Sequence, residues 1–238
     1  MIKTIFFDLD GTLLPMDYDT FEKGYFSLLI KKLMPLGFSK DEIINGVWYG
    51  TKAMMQNDGQ ISNEEVFWSK FGSLFKEKTD FLKIQLEDFY DSDFDNAISF
   101  CGFNPAVKHA LDEISRAGIE MVVATNPIFP KTATVKRIKW AGLNPDDFSY
   151  ISTYENSHYC KPNVNYYIEI LNKLNLKPDE VIMVGNDLTE DLAAQQAGIK
   201  VFIIDDCLLN TQNIDINTVL HGNFESFVGW LKTNIKGR

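Results

Sequence analysis

The chain has 238 residues, 45% of them hydrophobic and 24% charged, with 23 Lys plus Arg set against 33 Asp plus Glu for a formal net charge of -10. That length suits one large domain, or a core with an insertion, and buries roughly 70% of the surface that the unfolded chain exposes. The acidic balance repels nucleic-acid backbones and anionic membranes, so neither is an expected partner, and any phosphate site needs positive charge close at hand.

Lys3 to Phe7 is the first predicted strand. Its apolar run ends when Asp8 intervenes, which is too short for a signal peptide or a membrane span, and nothing longer follows; a cytoplasmic protein is expected. From about Asp17 to Tyr90 the pattern is helical, in four successive segments. Phe21, Tyr25, Leu28, Leu29 and Leu36 share one face, and Ile43, Ile44, Val47, Trp48 and Met55 share the next. Phe67, Phe71, Leu74 and Phe75 line the third, and Leu82, Leu86, Phe89 and Tyr90 the fourth. Ser39 with Glu42, and Ser62 with Glu65, have the capping-box spacing that marks a helix start. These aromatic stripes are read as packing rather than as a cofactor pocket.

From about residue 104 short β-rich runs alternate with helices, as a parallel α/β sheet requires. Pro105 opens a helix carrying Val107, Leu111 and Ile114, which Gly118 ends; Ile119 to Ala124 is a buried strand. A helix with Val135 and Ile138 stops near Gly142, and Tyr150 to Thr153 is a weaker strand. Pro162 to Leu174 is a helix, Val181 to Val184 a strand, and the next helix ends at Gly198. Val201 to Ile204 completes the series of strands, with a closing helix from Phe224 to Leu231. The expected organisation is an α/β core of residues 1–15 and 100–238, with residues 16–99 inserted as a helical unit. Cys101, Cys160 and Cys207 are scattered with no CxxC pair, so reduced thiols are expected.

The chemistry concentrates in Ile5-Phe6-Phe7-Asp8-Leu9-Asp10-Gly11-Thr12-Leu13. An apolar strand ends, two carboxylates follow two positions apart, and a glycine allows a sharp turn. Ligands of open parallel sheets bind beyond the carboxyl ends of strands, where both aspartates fall. Two carboxylates so close need a cation or a shared proton. Further on, Thr125-Asn126 follows the strand ending at Ala124, Lys161 precedes Pro162 at a helix start, and Gly185-Asn186-Asp187-Leu188-Thr189-Glu190-Asp191 follows the strand ending at Val184.

Taken in order, these four segments resemble the signature of the haloacid dehalogenase-like hydrolases, over residues 3 to about 204. The resemblance implies a Rossmann-like parallel-sheet core with an inserted all-helical cap that closes over the site and meets the leaving group, with Pro15-Met16-Asp17 in the hinge. It also implies a phosphatase acting on a small phosphorylated metabolite. Asp8 would attack phosphorus and carry an aspartyl-phosphate, and Asp10 would serve as general acid and then general base. Thr125 and adjoining donors, with Gly11, Thr12 and Asn126, would hold phosphoryl oxygens, and Lys161 would offset charge around Asp8. Mg²⁺ is the implied cofactor, with Asp8, Asp10 through its backbone carbonyl, and Asp187 as ligands and Asp191 as outer support; all are hard oxygens.

Dehalogenases of the family lack the second aspartate, so Asp10 argues for phosphoryl chemistry. A phosphomutase with the same intermediate, and a binding protein that keeps the fold without turnover, are the rival readings. Two positions depart from the common pattern: Pro15 stands where an acidic residue is frequent, and the fourth segment begins Gly-Asn. That leaves two registers, with Asn186 or Asp187 as the first metal ligand; the greater affinity of a carboxylate for Mg²⁺ favours Asp187. His109 has no assigned role, while His158 and Cys160 lie near Lys161 in the expected site loop, where a substrate contact is open to them.

Overall fold

A computed structural model describes residues 2–234. Six parallel strands make one sheet: β1 (Thr4–Phe7), β2 (Glu120–Val123), β3 (Tyr150–Ile151), β4 (Val181–Gly185), β5 (Lys200–Ile204) and β6 (Leu220–Gly222), in the order β3-β2-β1-β4-β5-β6. Successive strand residues point to opposite faces, and here both faces are covered. Ile5, Phe7, Met121, Val123, Ile182 and Val184 enter one apolar cluster; Phe6, Val122, Val181 and Met183 enter another. Continuous apolar runs are therefore what these strands require.

The first face is covered by α5 (Pro105–Arg116) and α8 (Phe224–Asn234), through Val107, Leu111 and Ile114 and through Phe224, Phe227 and Leu231. The second is covered by α7 (Val164–Lys173), through Tyr166, Tyr167, Ile170 and Leu171. Between β1 and β2 the chain makes α1 (Tyr18–Leu33), α2 (Lys40–Met55), α3 (Asn63–Phe75) and α4 (Thr79–Asp91). These four share a third apolar cluster, joined by Ala133 of α6 (Lys131–Trp140) and by Cys160. The chain leaves the sheet and returns to it side by side: Met16 pairs with Cys101 in an antiparallel bridge, and Gly102 N–H donates to Pro15 O at 2.6 Å.

Both capping boxes form, at Ser39–Glu42 and Ser62–Glu65. α2 and α3 meet closely because Gly46 and Gly50 receive the rings of Phe75 and Phe67; an added Cβ would lie 2.6 and 2.5 Å from them.

Three residues assigned to helix faces are instead exposed. Pro35 lacks an N–H, so α1 stops at Leu33 and Leu36 falls in a short 3-10 turn outside the stripe. On α2 the buried line passes through Met54 and not Met55, and on α3 it runs Phe67, Phe71, Phe75 and leaves Leu74 out. The helix expected before Gly198 is a short 3-10 segment, Leu192–Ala197. Strand β6 was not anticipated: it holds its place by pairing with β5, and its own side chains are largely exposed. No helix of the described residues is long and apolar enough to cross a membrane.

Leu29, fully buried among the inserted helices, and Leu74, about half exposed, test this packing. Leu29→Ala should lower the unfolding free energy by about 2–5 kcal/mol, and Leu74→Ala should barely move it, as read from urea midpoints. Equal losses would mean that the helical cluster is assigned to the wrong faces.

Candidate active site

The strand order reverses at the β1–β4 pair, and the segments that follow these two strands form a crevice there. Asp8 comes directly after β1, its N–H bonded to Val184 O at 2.8 Å. The turn beyond it is tight. Gly11 has φ +85°, and a Cβ there would lie 2.2 Å from the Asn186 amide, so both conformation and space demand glycine.

The Asp8 side chain is buried, and its Oδ1 accepts from Lys161 Nζ at 2.8 Å. Lys161 is itself fully buried and donates also to Asp191 Oδ1 at 2.6 Å. The second oxygen of Asp191 accepts from Asp187 N–H at 3.0 Å. Burial works against the Lys161 ammonium, but Asp191 and Asp8 outweigh it and hold its pKa well above the ordinary value. Burial also pushes the Asp8 carboxyl up, to about 7, against the pull of Lys161 and with Asp191 and Asp10 adding to the rise. One ammonium therefore does not balance the carboxylates gathered here.

Asp10 is anchored by a residue that had been given no role. Arg137 of α6 is fully buried, is ion-paired with Asp10 Oδ2, and has its guanidinium over the Phe129 ring at 4.4 Å. α6 carries Lys131, Lys136, Arg137 and Lys139, which read as a solvated basic face. Only the three-residue step from Thr134 marks Arg137 as inward-facing. Glu190 was likewise passed over: it accepts from Asn126 Nδ2 at 2.8 Å. Burial lifts its carboxyl to about 8, Lys161 opposing and Asp191, Asp187 and Asp8 reinforcing.

The phosphate-binding candidates are placed unevenly. Gly11 N–H is bonded to Leu14 O, Thr12 N–H to Leu9 O, and the Asn126 side-chain amide donates to Glu190, while the backbone N–H of Asn126, which lines the cavity, has no partner among the described residues. The turn instead leaves the N–H groups of Leu9 and Asp10 without a hydrogen-bond partner among the described residues. Thr125 is buried with its carbonyl held by Ser152 and Tyr166, while its hydroxyl makes no hydrogen bond among the described residues. Thr125, Asp8 and Asp10 all line a cavity of about 710 Å³ between the sheet end and the inserted helices.

For a metal, the donors available are oxygens. Among the described residues no group of three or more His, Cys, Asp or Glu is arranged to hold an ion. The set is completed by other oxygens: the Thr12 hydroxyl lies 3.5 Å from Asp8 Oδ2 and 3.1 Å from Asn186 Oδ1, so these two converge. The turn uses the carbonyls of Leu9 and Leu14, and among the described residues the Asp10 carbonyl is uncommitted and the buried Asp10 Oδ1 has no donor. Asp187, by contrast, spends Oδ1 on the N–H groups of Thr189 and Glu190, at 2.6 and 3.0 Å, as a cap. Asp191 gives its two oxygens to Lys161 and to Asp187 N–H, while Asp187 keeps Oδ2 outside its cap, and both residues line the cavity. Convergence with Asp8 Oδ2 belongs to Asn186 Oδ1, which favours the register with Asn186 as first ligand and leaves Asp187 beside it. His158 bonds to Glu169 at 2.7 Å, Cys160 accepts from Asn63 at 3.4 Å, and neither lines the cavity.

A family model described as haloacid dehalogenase-like hydrolase matches residues 2–198. A ribulose-1,5-bisphosphate 5-phosphatase of Halopiger xanaduensis is 24% identical over 213 residues, covering 86% of this chain and 85% of its own. A phosphoglycolate phosphatase of Vibrio vulnificus is 25% identical over 207 residues, covering 84% and 82%. Among solved structures, the HAD-hydrolase YfnB of Bacillus subtilis, crystallised bound to magnesium, aligns over 98% of this chain and 99% of its own at 18% identity, with TM-score 0.58.

Asp191→Ala should cost about 3–5 kcal/mol of stability in urea, because it leaves a buried ammonium with half its charge partners. Asp112→Asn, which breaks the exposed i,i+4 pair with Lys108, should leave the midpoint nearly unchanged. A small loss for Asp191→Ala would show that water reaches Lys161.

Proposed function

The chain belongs to the haloacid dehalogenase-like hydrolases, and from that premise we propose that it is a Mg²⁺-dependent phosphatase acting on small phosphate monoesters through an aspartyl-phosphate on Asp8. The observation that carries this reading is the pairing at the cavity floor: Asp8 pinned through one oxygen by Lys161, beside Asp10 pinned through one oxygen by Arg137. Two carboxylates held in fixed and different environments can take different roles.

Asp8 attacks phosphorus through Oδ2, the oxygen that Lys161 does not hold, and the ester oxygen leaves. The Leu9, Asp10 and Asn126 N–H groups and the Thr125 hydroxyl receive the phosphoryl oxygens, supplying the donors that the Gly11 and Thr12 N–H groups have committed elsewhere. Asp10 gives a proton to the departing oxygen and then takes one from the water that cleaves the aspartyl-phosphate. Arg137 fixes the direction of that carboxyl, and Lys161 opposes the burial that raises the Asp8 pKa. Asp8, the Asp10 carbonyl and Asn186 would hold Mg²⁺, with Asp187 beside them. When bound, the ion draws charge from the phosphoryl oxygens. Asp191 acts through Lys161. The relatives' named substrates are small phosphorylated compounds, which supports the class and leaves the individual substrate to the cavity.

Asp8→Asn should abolish release of phosphate from p-nitrophenyl phosphate, because an amide does not attack phosphorus. Asp10→Asn should still release a burst of nitrophenol and then turn over about 10²–10⁴-fold more slowly. Wild-type activity in Asp8→Asn would end the proposal.

Activity should require Mg²⁺ and fall when Ca²⁺ replaces it, since the wider Ca²⁺ shell draws in both Asp8 oxygens. In Mg²⁺ titrations Asn186→Ala should raise the concentration for half-maximal rate most and Asp187→Asn less. Asp191→Asn should lower the rate with little change in that concentration. A larger metal effect for Asp187→Asn would restore the other register, and full activity in excess chelator would remove the metal altogether.

A further inference from the structure

The catalytic end of the 710 Å³ cavity accounts for only part of its wall. The rest is formed by the inserted helices and by the loop after β3, and its composition is lopsided. Tyr25, Trp48, Phe67, Trp68, Tyr90 and Tyr154 line it, together with Glu64, Glu87 and Glu155, and among the described residues no Lys, Arg or His does so.

Glu64 is half-buried on α3, and Glu87 and Glu155 stand exposed beside it at the rim. None of the three is in an ion pair among the described residues. They lie close together around Tyr154. Burial first, and then the charges of Glu64, Glu155 and Glu87, hold the Tyr154 phenol far above its usual pKa; the carboxyl of Glu64 is raised by burial and by Glu155.

One buried polar group points to a ligand independently of these carboxylates: Thr51 of α2 is 7% exposed, lines the cavity, and makes no side-chain hydrogen bond among the described residues. The Trp68 indole N–H faces the Tyr154 hydroxyl, which keeps the two rings together on this wall. The chain's own Lys83 ammonium stands over the Trp68 ring at 5.5 Å, outside the cavity lining, which shows that this ring accepts a cation on its face.

A leaving group with a second phosphate or a carboxylate would meet three carboxylates against the nearby ammonium of Lys83, which lies outside the cavity lining. A positively charged one would meet aromatic faces, which attract ammonium groups through their quadrupole, and carboxylates outside any ion pair among the described residues, of which Glu155 gives one oxygen to Lys131 N–H at 2.8 Å. Resting on the phosphatase reading above, we propose that the substrate is the phosphate monoester of an amino alcohol or quaternary ammonium alcohol, its cationic end seated among Trp68, Tyr154, Glu64, Glu87 and Glu155. The Thr51 hydroxyl accepts from an N–H of a primary ammonium.

The test uses the full chain with Mg²⁺ and matched monoesters. Phosphocholine is compared with 3,3-dimethylbutyl phosphate, its uncharged isostere, and phosphoethanolamine with propyl phosphate; phosphoglycolate is the anionic control. At least one cationic ester should exceed its isostere in kcat/KM by roughly tenfold, with phosphoglycolate lowest. The variant carrying Glu64→Gln, Glu87→Gln and Glu155→Gln should bring that ratio close to one, with circular dichroism confirming its fold. Choline or ethanolamine should also quench tryptophan fluorescence at lower concentration than its uncharged counterpart, a readout that needs no turnover. Isosteres as good as the cations, or phosphoglycolate preferred, would overturn the inference while leaving the phosphatase reading standing. No hydrolysis of p-nitrophenyl phosphate would sink the phosphatase reading, and the fluorescence comparison would then decide on the cation alone.

Discussion

Lys161 has two carboxylates and no solvent: its ammonium lies 2.8 Å from Asp8 and 2.6 Å from Asp191, inside a fully buried side chain. Each of the three belongs to a different stretch of chain, one after β1, one before α7 and one after β4. Bringing charge out of water costs several kcal/mol per ion, and attraction repays that only where geometry is tight. The segments that carry these groups are therefore not free to drift, and the crevice between β1 and β4 keeps its shape because three charges need one another. Arg137 and Asp10 repeat the device on the other side of the floor. Each pair leaves the second oxygen of its aspartate, Asp8 Oδ2 and Asp10 Oδ1, outside the ion pair, and these oxygens are the reactive ones in the proposed chemistry.

The roof is made by different forces. The helices between β1 and β2 are held by aromatic packing, with Phe67 stacked on Phe71 and Tyr25 in edge contact with Phe89, Phe94 and Phe129. Phe129 belongs to the loop before α6 and is also the ring beneath Arg137, so one side chain touches both the helical cluster and the anchor of Asp10. Asn63 does similar work at the start of α3. Its amide donates to Pro127 O and Tyr159 O, which tie the helix to the loops that follow β2 and β3.

Strands β1, β2, β4 and β5 are legible in the sequence because burial on both faces writes itself as unbroken apolar runs, and both capping boxes because their pairs are local. The Asp8–Thr12 turn is legible for the same reason: strand, carboxylates and glycine lie within nine consecutive residues. What pairing alone decides is not legible. β6 exists through hydrogen bonds to β5 and leaves no apolar trace. Arg137 looks like its basic neighbours until α6 is seen to be buried. The choice between Asn186 and Asp187 turns on which oxygens converge with Asp8, and composition carries no record of that. Affinity rules favour the carboxylate, while the turn gives one of its oxygens to Thr189 and Glu190 and sets Asn186 Oδ1 beside the Thr12 hydroxyl.

The bridge between Met16 and Cys101 has a consequence for how such a chain diversifies. Departure and return lie side by side, so the ends of the intervening 84 residues are already joined in space by the Pro15–Gly102 contact. A segment whose ends meet can be replaced by another of the same span without stretching the sheet or shifting a strand. Grafting across that seam would exchange the share of the aromatic and acidic wall that the inserted helices supply, keep Tyr154 and Glu155, and leave the Asp8–Lys161–Asp191 frame as it was. Most of the wall is thus heritable apart from catalysis in this architecture, carried between the two crossings while the catalytic frame lies outside them.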